Sequence, residues 1–261
     1  MSSRQERKGS EFRALHADEP FVFPNPWDAG SARVLEQLGF KALATTSSGF
    51  AYSLGRRDGE TTLDQVLAHT RALDEATDLP VAVDLENGYG ADPESAANAV
   101  ARVAEAGAVG GSIEDWDPSG RLYSLDEAVE RIAAASAVAR NLAFPFMLTA
   151  RAENHIRGNP RIDDTIARLQ AFEQAGADVL YAPGLRTVGE IKAVCEAVSK
   201  PVNVLALGNL SFDEIVGAGA QRVSVGGALA WVAAEALVEA ATAIRDRGDF
   251  SGLSARNPLL T

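Results

Sequence analysis

Short apolar runs alternate with longer stretches of helical periodicity along almost the whole chain. Eight runs stand out: Phe21 to Phe23, Ala42 to Thr46, Val81 to Val83, Val109 to Ile113, Phe146 to Thr149, Val179 to Tyr181, Val202 to Leu205 and Val223 to Val225. Runs of this length and composition read as strands buried in a parallel sheet, and the stretches between them as crossover helices. The helix starts are marked by side chains that can satisfy the first-turn amides. Thr62 with Gln65, Ser124 with Glu127, Thr187 with Glu190 and Ser211 with Glu214 read as capping boxes, and Asp92 before Pro93 as an N-cap. Gly39, Gly107, Gly176 and Gly219 stand where a left-handed C-cap is needed. Eight such units predict an α/β fold, a (β/α)8 TIM barrel filling residues 1–261 as one domain, with a polar N-terminal segment over 1–19 and a C-terminal tail over 248–261. An open doubly wound sheet is the alternative, but no Gly-x-Gly-x-x-Gly follows the first strand.

Composition narrows the partners. The 261 residues, 46% hydrophobic and 23% charged, suffice for one large core. A formal net charge of -12 repels nucleic acid and anionic lipid, and only the short stretch Arg4 to Lys8 runs against it, so neither is expected as a partner. A small anionic substrate therefore needs a local positive focus. The only cysteine, Cys195, permits neither a disulfide framework nor a thiolate cluster. With no apolar leader in Met1 to Glu19 and no apolar stretch of about 20 residues, the expected location is the cytoplasm.

A barrel of this kind works at the C-terminal ends of its strands. There the chain places Asp58, Asp84 with Glu86, and Glu114, then Arg151 after the next strand. Asp84 and Glu86, two residues apart, are expected to point the same way. Adjacent strands lie about 5 Å apart, so Glu114 can approach Asp84. So many carboxylates repel unless a cation neutralises them, and oxygen donors favour Mg²⁺ or Mn²⁺. The alternative, that these acids cap helices, is weakened because Asp92 and Ser124 already supply caps. Arg151 can fork two hydrogen bonds to a substrate carboxylate, or instead pair with Glu153 or the acidic cluster. The loop Thr45 to Gly49 offers hydroxyls and amides for an anion, Trp27 can wall the mouth, and Gly226-Gly227 can cradle a phosphate. No lysine falls at the mouth, which disfavours imine chemistry, and the three histidines are too scattered for a zinc site.

Taken together, Pro24-Asn-Pro-Trp-Asp-Ala-Gly-Ser-Ala32, Thr46-Ser-Ser-Gly49, Gly55-Arg-Arg-Asp-Gly-Glu60, Val83-Asp-Leu-Glu-Asn-Gly-Tyr-Gly90, Ser112-Ile-Glu-Asp115 and Thr149-Ala-Arg151 resemble the isocitrate lyase and phosphoenolpyruvate mutase superfamily in type and order. The resemblance implies a barrel of the phosphoenolpyruvate/pyruvate-binding type. It implies Mg²⁺ held most directly by Asp84, with Asp58, Glu86 and Glu114 acting mainly through water, and a 2-oxo acid held by Ser47, Ser48, Gly49 and Arg151. The family usually has Asp where this chain has Glu86. Its lyases carry a catalytic Cys in a loop after the fourth strand, where this chain has Trp116-Asp-Pro-Ser-Gly-Arg121-Leu-Tyr123. Arg121 and Tyr123 are the candidate replacements and, with Asp58 and Arg151, complete the expected catalytic set. The implied activity is a Mg²⁺-dependent lyase or decarboxylase that cleaves a C–C bond of a small 2-oxo or 2-hydroxy (di)carboxylate through a metal-stabilised enolate. Phosphonopyruvate-type C–P chemistry and a non-catalytic acid-binding barrel are the alternatives. The last helix, Ala228 to Asp246, is apolar on more than one face, which predicts a homo-oligomer, a dimer or tetramer. The resemblance implies exchange of that helix between subunits.

Overall fold

The computed structural model describes residues 3–254. In chain order its elements are α1 (Ser3–Leu15), β1 (Phe21–Phe23), α2 (Ala29–Gln37), β2 (Leu43–Ala44), α3 (Ser47–Ser53), α4 (Leu63–Ala76), β3 (Val81–Asp84), α5 (Pro93–Glu105), β4 (Gly110–Glu114), β5 (Trp116–Asp117), β6 (Arg121–Leu122), α6 (Leu125–Asn141), β7 (Met147–Arg151), α7 (Ile162–Gln174), β8 (Val179–Tyr181), α8 (Val188–Ala197), β9 (Val202–Leu205), α9 (Phe212–Gly217), β10 (Arg222–Ser224) and α10 (Ala228–Arg247). Eight parallel strands run in the order β1-β10-β9-β8-β7-β4-β3-β2. A backbone bond from Ala44 N to Pro24 O at 3.1 Å joins the two outer strands, so the sheet is a nearly closed barrel. All eight predicted strands are present, and β5 and β6 form a small antiparallel hairpin in the loop after β4.

The capping chemistry is as predicted. The four Ser/Thr boxes close on Gln65, Glu127, Glu190 and Glu214, and Asp92 accepts from Ser95 N ahead of Pro93. The four C-cap glycines have φ between 87 and 109°. Helix α5 shows how the outer layer is held. Ala96, Ala99, Val100, Val103 and Ala104 recur at helical spacing and are buried, while Asn98 and Arg102 keep to the other side. No described helix is long and apolar enough to cross a membrane.

Most of the polar N-terminal segment expected over 1–19 is α1, which closes the N-terminal end of the barrel. Phe12 is fully buried and stacks on Phe23 at 5.4 Å. A Cβ on Gly110 would come within 2.8 Å of the Phe12 ring, so only glycine admits the plug there. Lys8, fully buried, donates from Nζ to Asp74 Oδ1 at 2.6 Å and to Thr77 O at 2.9 Å, and Arg4 fastens to Asp74 and Asp78. Long basic side chains bury their stems and pair their heads, so a segment polar by composition still serves as a core element.

The interior above the plug is polar. Arg222 donates from Nε to Asn203 Oδ1 and from Nη2 across the barrel to Thr149 Oγ1, each at 2.9 Å, while Nη1 meets His16 Nε2 at 3.0 Å. Because a guanidinium only donates, His16 accepts at Nε2 and donates from Nδ1 to Phe12 O. Burial and the Arg222 charge push His16 down to about 3, and burial pushes Arg222 down to about 9. Of the expected tail, Gly248 adopts φ 62° and Ser251–Ser254 form a 3-10 turn, while residues 255–261 lie outside the described residues.

Candidate active site

Asp84 is the last residue of β3. Its amide donates to Thr45 Oγ1 at 2.9 Å, and its Oδ1 accepts from Glu86 N at 3.2 Å and Ser112 Oγ at 3.4 Å. Strand register places Ser112 beside Asp84 and Glu114 beside Arg151. The Arg151 guanidinium therefore enters the acidic cluster. Its Nη1 lies 3.4 Å from Glu114 Oε2 and 3.6 Å from Asp84 Oδ2, and its Nε donates to Glu153 Oε1 at 2.5 Å. Arg151 lines both a small inner chamber of about 70 Å³ at strand level and an outer cleft of about 280 Å³ that Ser47, Asp58, Glu86, Glu114, Trp116 and Arg157 also line.

Glu86 reaches the cleft by a route that strand alternation does not describe. The strand stops at Asp84, Leu85 is buried, and Glu86 adopts φ 48°, with Tyr89 at φ 61° three residues on. Left-handed conformations at non-glycine residues cost on the order of 1–3 kcal/mol each and persist only where surrounding structure imposes them. Here Arg131 supplies that constraint. Its buried guanidinium donates to Asp92 O at 2.9 Å, Gly90 O at 2.7 Å and Asn87 O, gathering three carbonyls of the loop. The turn carries Glu86 Oε1 to within reach of Thr61 Oγ1 at 3.3 Å and the Tyr89 hydroxyl at 3.2 Å.

The cluster is under-neutralised. Five carboxyl groups, those of Asp58, Asp84, Glu86, Glu114 and Glu153, face two guanidiniums, those of Arg151 and Arg157. Burial, reinforced by Asp84 and Asp58, pushes Glu86 up to about 7. Burial also raises Glu114 well above its ordinary value, with Glu153 and Asp84 adding to the rise and Arg151 opposing it. Asp58, at the rim, is raised by partial burial, opposed first by the Ser47 hydroxyl. Burial opposes the Arg151 charge, but Glu114, Glu153, Tyr181 and Asp84 together hold it above the ordinary arginine value. This chemistry fits a hard divalent cation, which lowers the energy of crowded carboxylates. Among the described residues no three acidic, His or Cys side chains converge to hold an ion directly.

Several expected site residues lie elsewhere. Tyr123 is 1% exposed; its hydroxyl accepts from Asn87 Nδ2 at 3.0 Å and its ring lies under the Arg131 guanidinium at 4.6 Å, so it braces the β3–α5 loop instead of facing the cleft. Arg121 is exposed and bound through two bonds to Glu127, outside the cleft lining. The expected anion loop after β2 is the start of α3: Thr46 caps it by accepting from Gly49 N at 3.3 Å, a Cβ on Gly49 would meet Trp27 and Ala230, and only Ser47 of the three lines the cleft. Ser48 Oγ lies 3.2 Å from Thr46 Oγ1. Trp27 lines a groove between α2 and α10 and leaves the mouth open. The amides of Val225 and Gly226 both donate to Asn25 Oδ1 at 2.9 Å, which takes the Gly226 donor away from the phosphate cradle expected at Gly226-Gly227.

Three groups went unread as site components. Glu153 is fully buried and accepts from Arg151 on one oxygen and from Arg157 Nε, at 2.8 Å, on the other. Arg157 thus returns to the mouth from six residues beyond β7. Asp115 is buried, accepts from Glu153 N at 2.7 Å and from Arg168 at 3.0 Å, and burial pushes it up to about 6. The Arg-x-Glu spacing at 151–153 was the available signal for Glu153, whereas nothing in the local pattern marks Arg157 or Arg168.

A parallel barrel with carboxylates gathered at its strand ends defines the class to which this chain belongs. Residues 12–245 match the phosphoenolpyruvate phosphomutase family. The chain belongs to that family, within the superfamily that also includes the isocitrate lyases. A solved structure from Burkholderia cenocepacia J2315, with the provisional label lyase/mutase, superposes with a TM-score of 0.95 at 52% identity, covering 98% of this chain and 94% of that one. The 2-methylisocitrate lyase of Escherichia coli K12 is 31% identical over 206 residues, 74% of this chain and 68% of its own. The oxaloacetate decarboxylase of Paraburkholderia xenovorans LB400 is 34% identical over 186 residues, 67% of this chain and 60% of its own.

Proposed function

We propose that the chain is a Mg²⁺-dependent carbon–carbon lyase or decarboxylase acting on a small 2-oxo or 2-hydroxy dicarboxylate. The observation that carries this reading is the meeting of Asp84 and Glu114 at the one Arg151 guanidinium, with Glu86 lining the same cleft and more carboxyl groups there than the guanidiniums can neutralise. Asp84 would hold the ion directly, with Glu86, Glu114 and Asp58 reaching it through water; Mn²⁺ can substitute. A bound Mg²⁺ would polarise the substrate oxygen at which negative charge develops as the C–C bond breaks. Arg151 positions the carboxylate next to that oxygen and is itself oriented by Glu153. Ser47 supplies a hydroxyl at the cleft wall. Two relatives at 31% and 34% identity are named for C–C cleavage of compounds carrying more than one carboxylate, which supports the same chemistry here.

The test is product analysis with Mg²⁺ across oxaloacetate, substituted malates and phosphonopyruvate. Release of pyruvate or another 2-oxo acid from the carbon acids supports the proposal. Phosphate release from phosphonopyruvate alone contradicts it in favour of C–P chemistry, and Mg²⁺-dependent oxalate binding without turnover contradicts it in favour of a binding barrel. We also propose a homo-oligomer formed through α10, on which Val232, Leu237 and Val238 are 62 to 64% exposed while only Ala230 is buried. A monomeric sedimentation profile at micromolar concentration would refute the assembly.

A further inference from the structure

Arg157 has no part in the ion site proposed above, yet its guanidinium is fixed in place. Nε donates to the fully buried Glu153, and the group lies over the Trp116 ring at 4.5 Å. Stacking and one hydrogen bond orient the plane, and neither Nη group has a hydrogen bond within the described residues. Such a fork is organised in advance for a carboxylate. Among the described residues, Arg157 and Arg151 are the only cations lining the outer cleft. Both hang from the one Glu153 carboxylate, one on each oxygen, so they stand close together but at different depths. Arg151 is 16% exposed among the acids, and Arg157 is 35% exposed at the rim. One substrate carboxylate engaged by Arg151 leaves a second, nearer the solvent, facing Asp58 and Glu60. Without a cation there, that dianion would be rejected.

We propose that Arg157 is a specificity-determining residue that receives the distal carboxylate of a dicarboxylate substrate, and so selects dicarboxylates over the corresponding monocarboxylates. The inference rests on the proposed metal-dependent 2-oxo or 2-hydroxy acid site and names which acids enter it. Glu153 acts as a positioning residue that sets the spacing of the two guanidiniums.

Malate and lactate form a matched pair, sharing the 2-hydroxy acid head and differing by the distal carboxylate. Oxalate probes the inner site alone. Calorimetric titration of each into the Mg²⁺-saturated full chain is to be compared for wild type, Arg157→Met and Arg157→Lys. A charge-assisted pair of this kind gives a preference of about tenfold or more for malate over lactate in wild type. Arg157→Met collapses that preference to within about threefold while oxalate affinity changes by less than that, and Arg157→Lys keeps part of it. A malate preference that survives in Arg157→Met overturns the inference, as does a parallel loss of oxalate binding in both variants, which would mark a structural role. Wild-type protein that holds oxalate but does not distinguish malate from lactate overturns the role of Arg157 and leaves the metal site standing. Protein that binds none of the three overturns both.

Discussion

At the closed end of the barrel, charges are paired or hydrogen-bonded within the chain: Lys8 and Arg4 meet Asp74 and Asp78, and the Arg222 guanidinium places its donors on neutral Asn203, Thr149 and His16. At the open end, Asp84 and Glu114 crowd a single deep guanidinium, and Glu86, on the same cleft, sits in a left-handed turn held by Arg131. One end resolves its electrostatics within the chain, whereas the other leaves a negative excess that an ion from outside can satisfy. Stability and chemistry are thus divided between the two faces of the barrel, as expected where strand C-termini carry the site and the opposite face carries the plug.

The division can be broken most severely at the plug. Phe12→Ala removes a fully buried ring that stacks on Phe23, and a loss of about 3–5 kcal/mol of unfolding free energy is expected from denaturant titration. Mg²⁺ affinity of the folded fraction should stay unchanged; a large fall in it would show that the two ends are coupled. A smaller effect separates the ends by pH. His16 is held near 3, below its ordinary 6.5, so between those values the unfolded chain binds a proton that the folded chain refuses. Its contribution is fully present above pH 6.5 and is lost as pH falls below that. The stability difference between wild type and His16→Gln should therefore shrink by about 1.4 kcal/mol per pH unit from 6.5 towards 4. A difference independent of pH contradicts a neutral ring accepting from Arg222. The smallest effect is at the exposed hairpin, where Arg121→Ala loses surface pairs with Glu127 and Asp117 and a place over the Tyr123 ring, and should leave turnover and Mg²⁺ affinity unaltered. A marked fall in turnover would restore Arg121 to the reacting groups.

The strands, capping boxes and C-cap glycines were legible because each is a local pattern with a local cause. The acidic cluster was legible because register places successive strand ends side by side. Helix α1 was not, since its buried face consists of Lys8, Gly9 and Phe12 and shows no apolar stripe. Ser47 to Gly49 read as loop because Ser and Gly signal turns, whereas Thr46 caps a helix there. The aim of Glu86 depends on a left-handed backbone imposed by Arg131 from another element, which no spacing within residues 84–90 encodes. Tyr123 was assigned to the mouth as a replacement for the loop Cys of the resembled lyases and Trp27 from its place after the first strand, but the direction of each ring is fixed by tertiary neighbours, Arg131 for one and the α2–α10 groove for the other.

The central claim, that the open end holds a divalent cation through Asp84, is tested most directly by calorimetric titration of Mg²⁺ into wild type and Asp84→Ala. One site per chain in wild type and an affinity at least about 100-fold weaker in the variant, with the fold retained, is the predicted result. Equal affinity in the two proteins, or no Mg²⁺ binding by wild type, would contradict it.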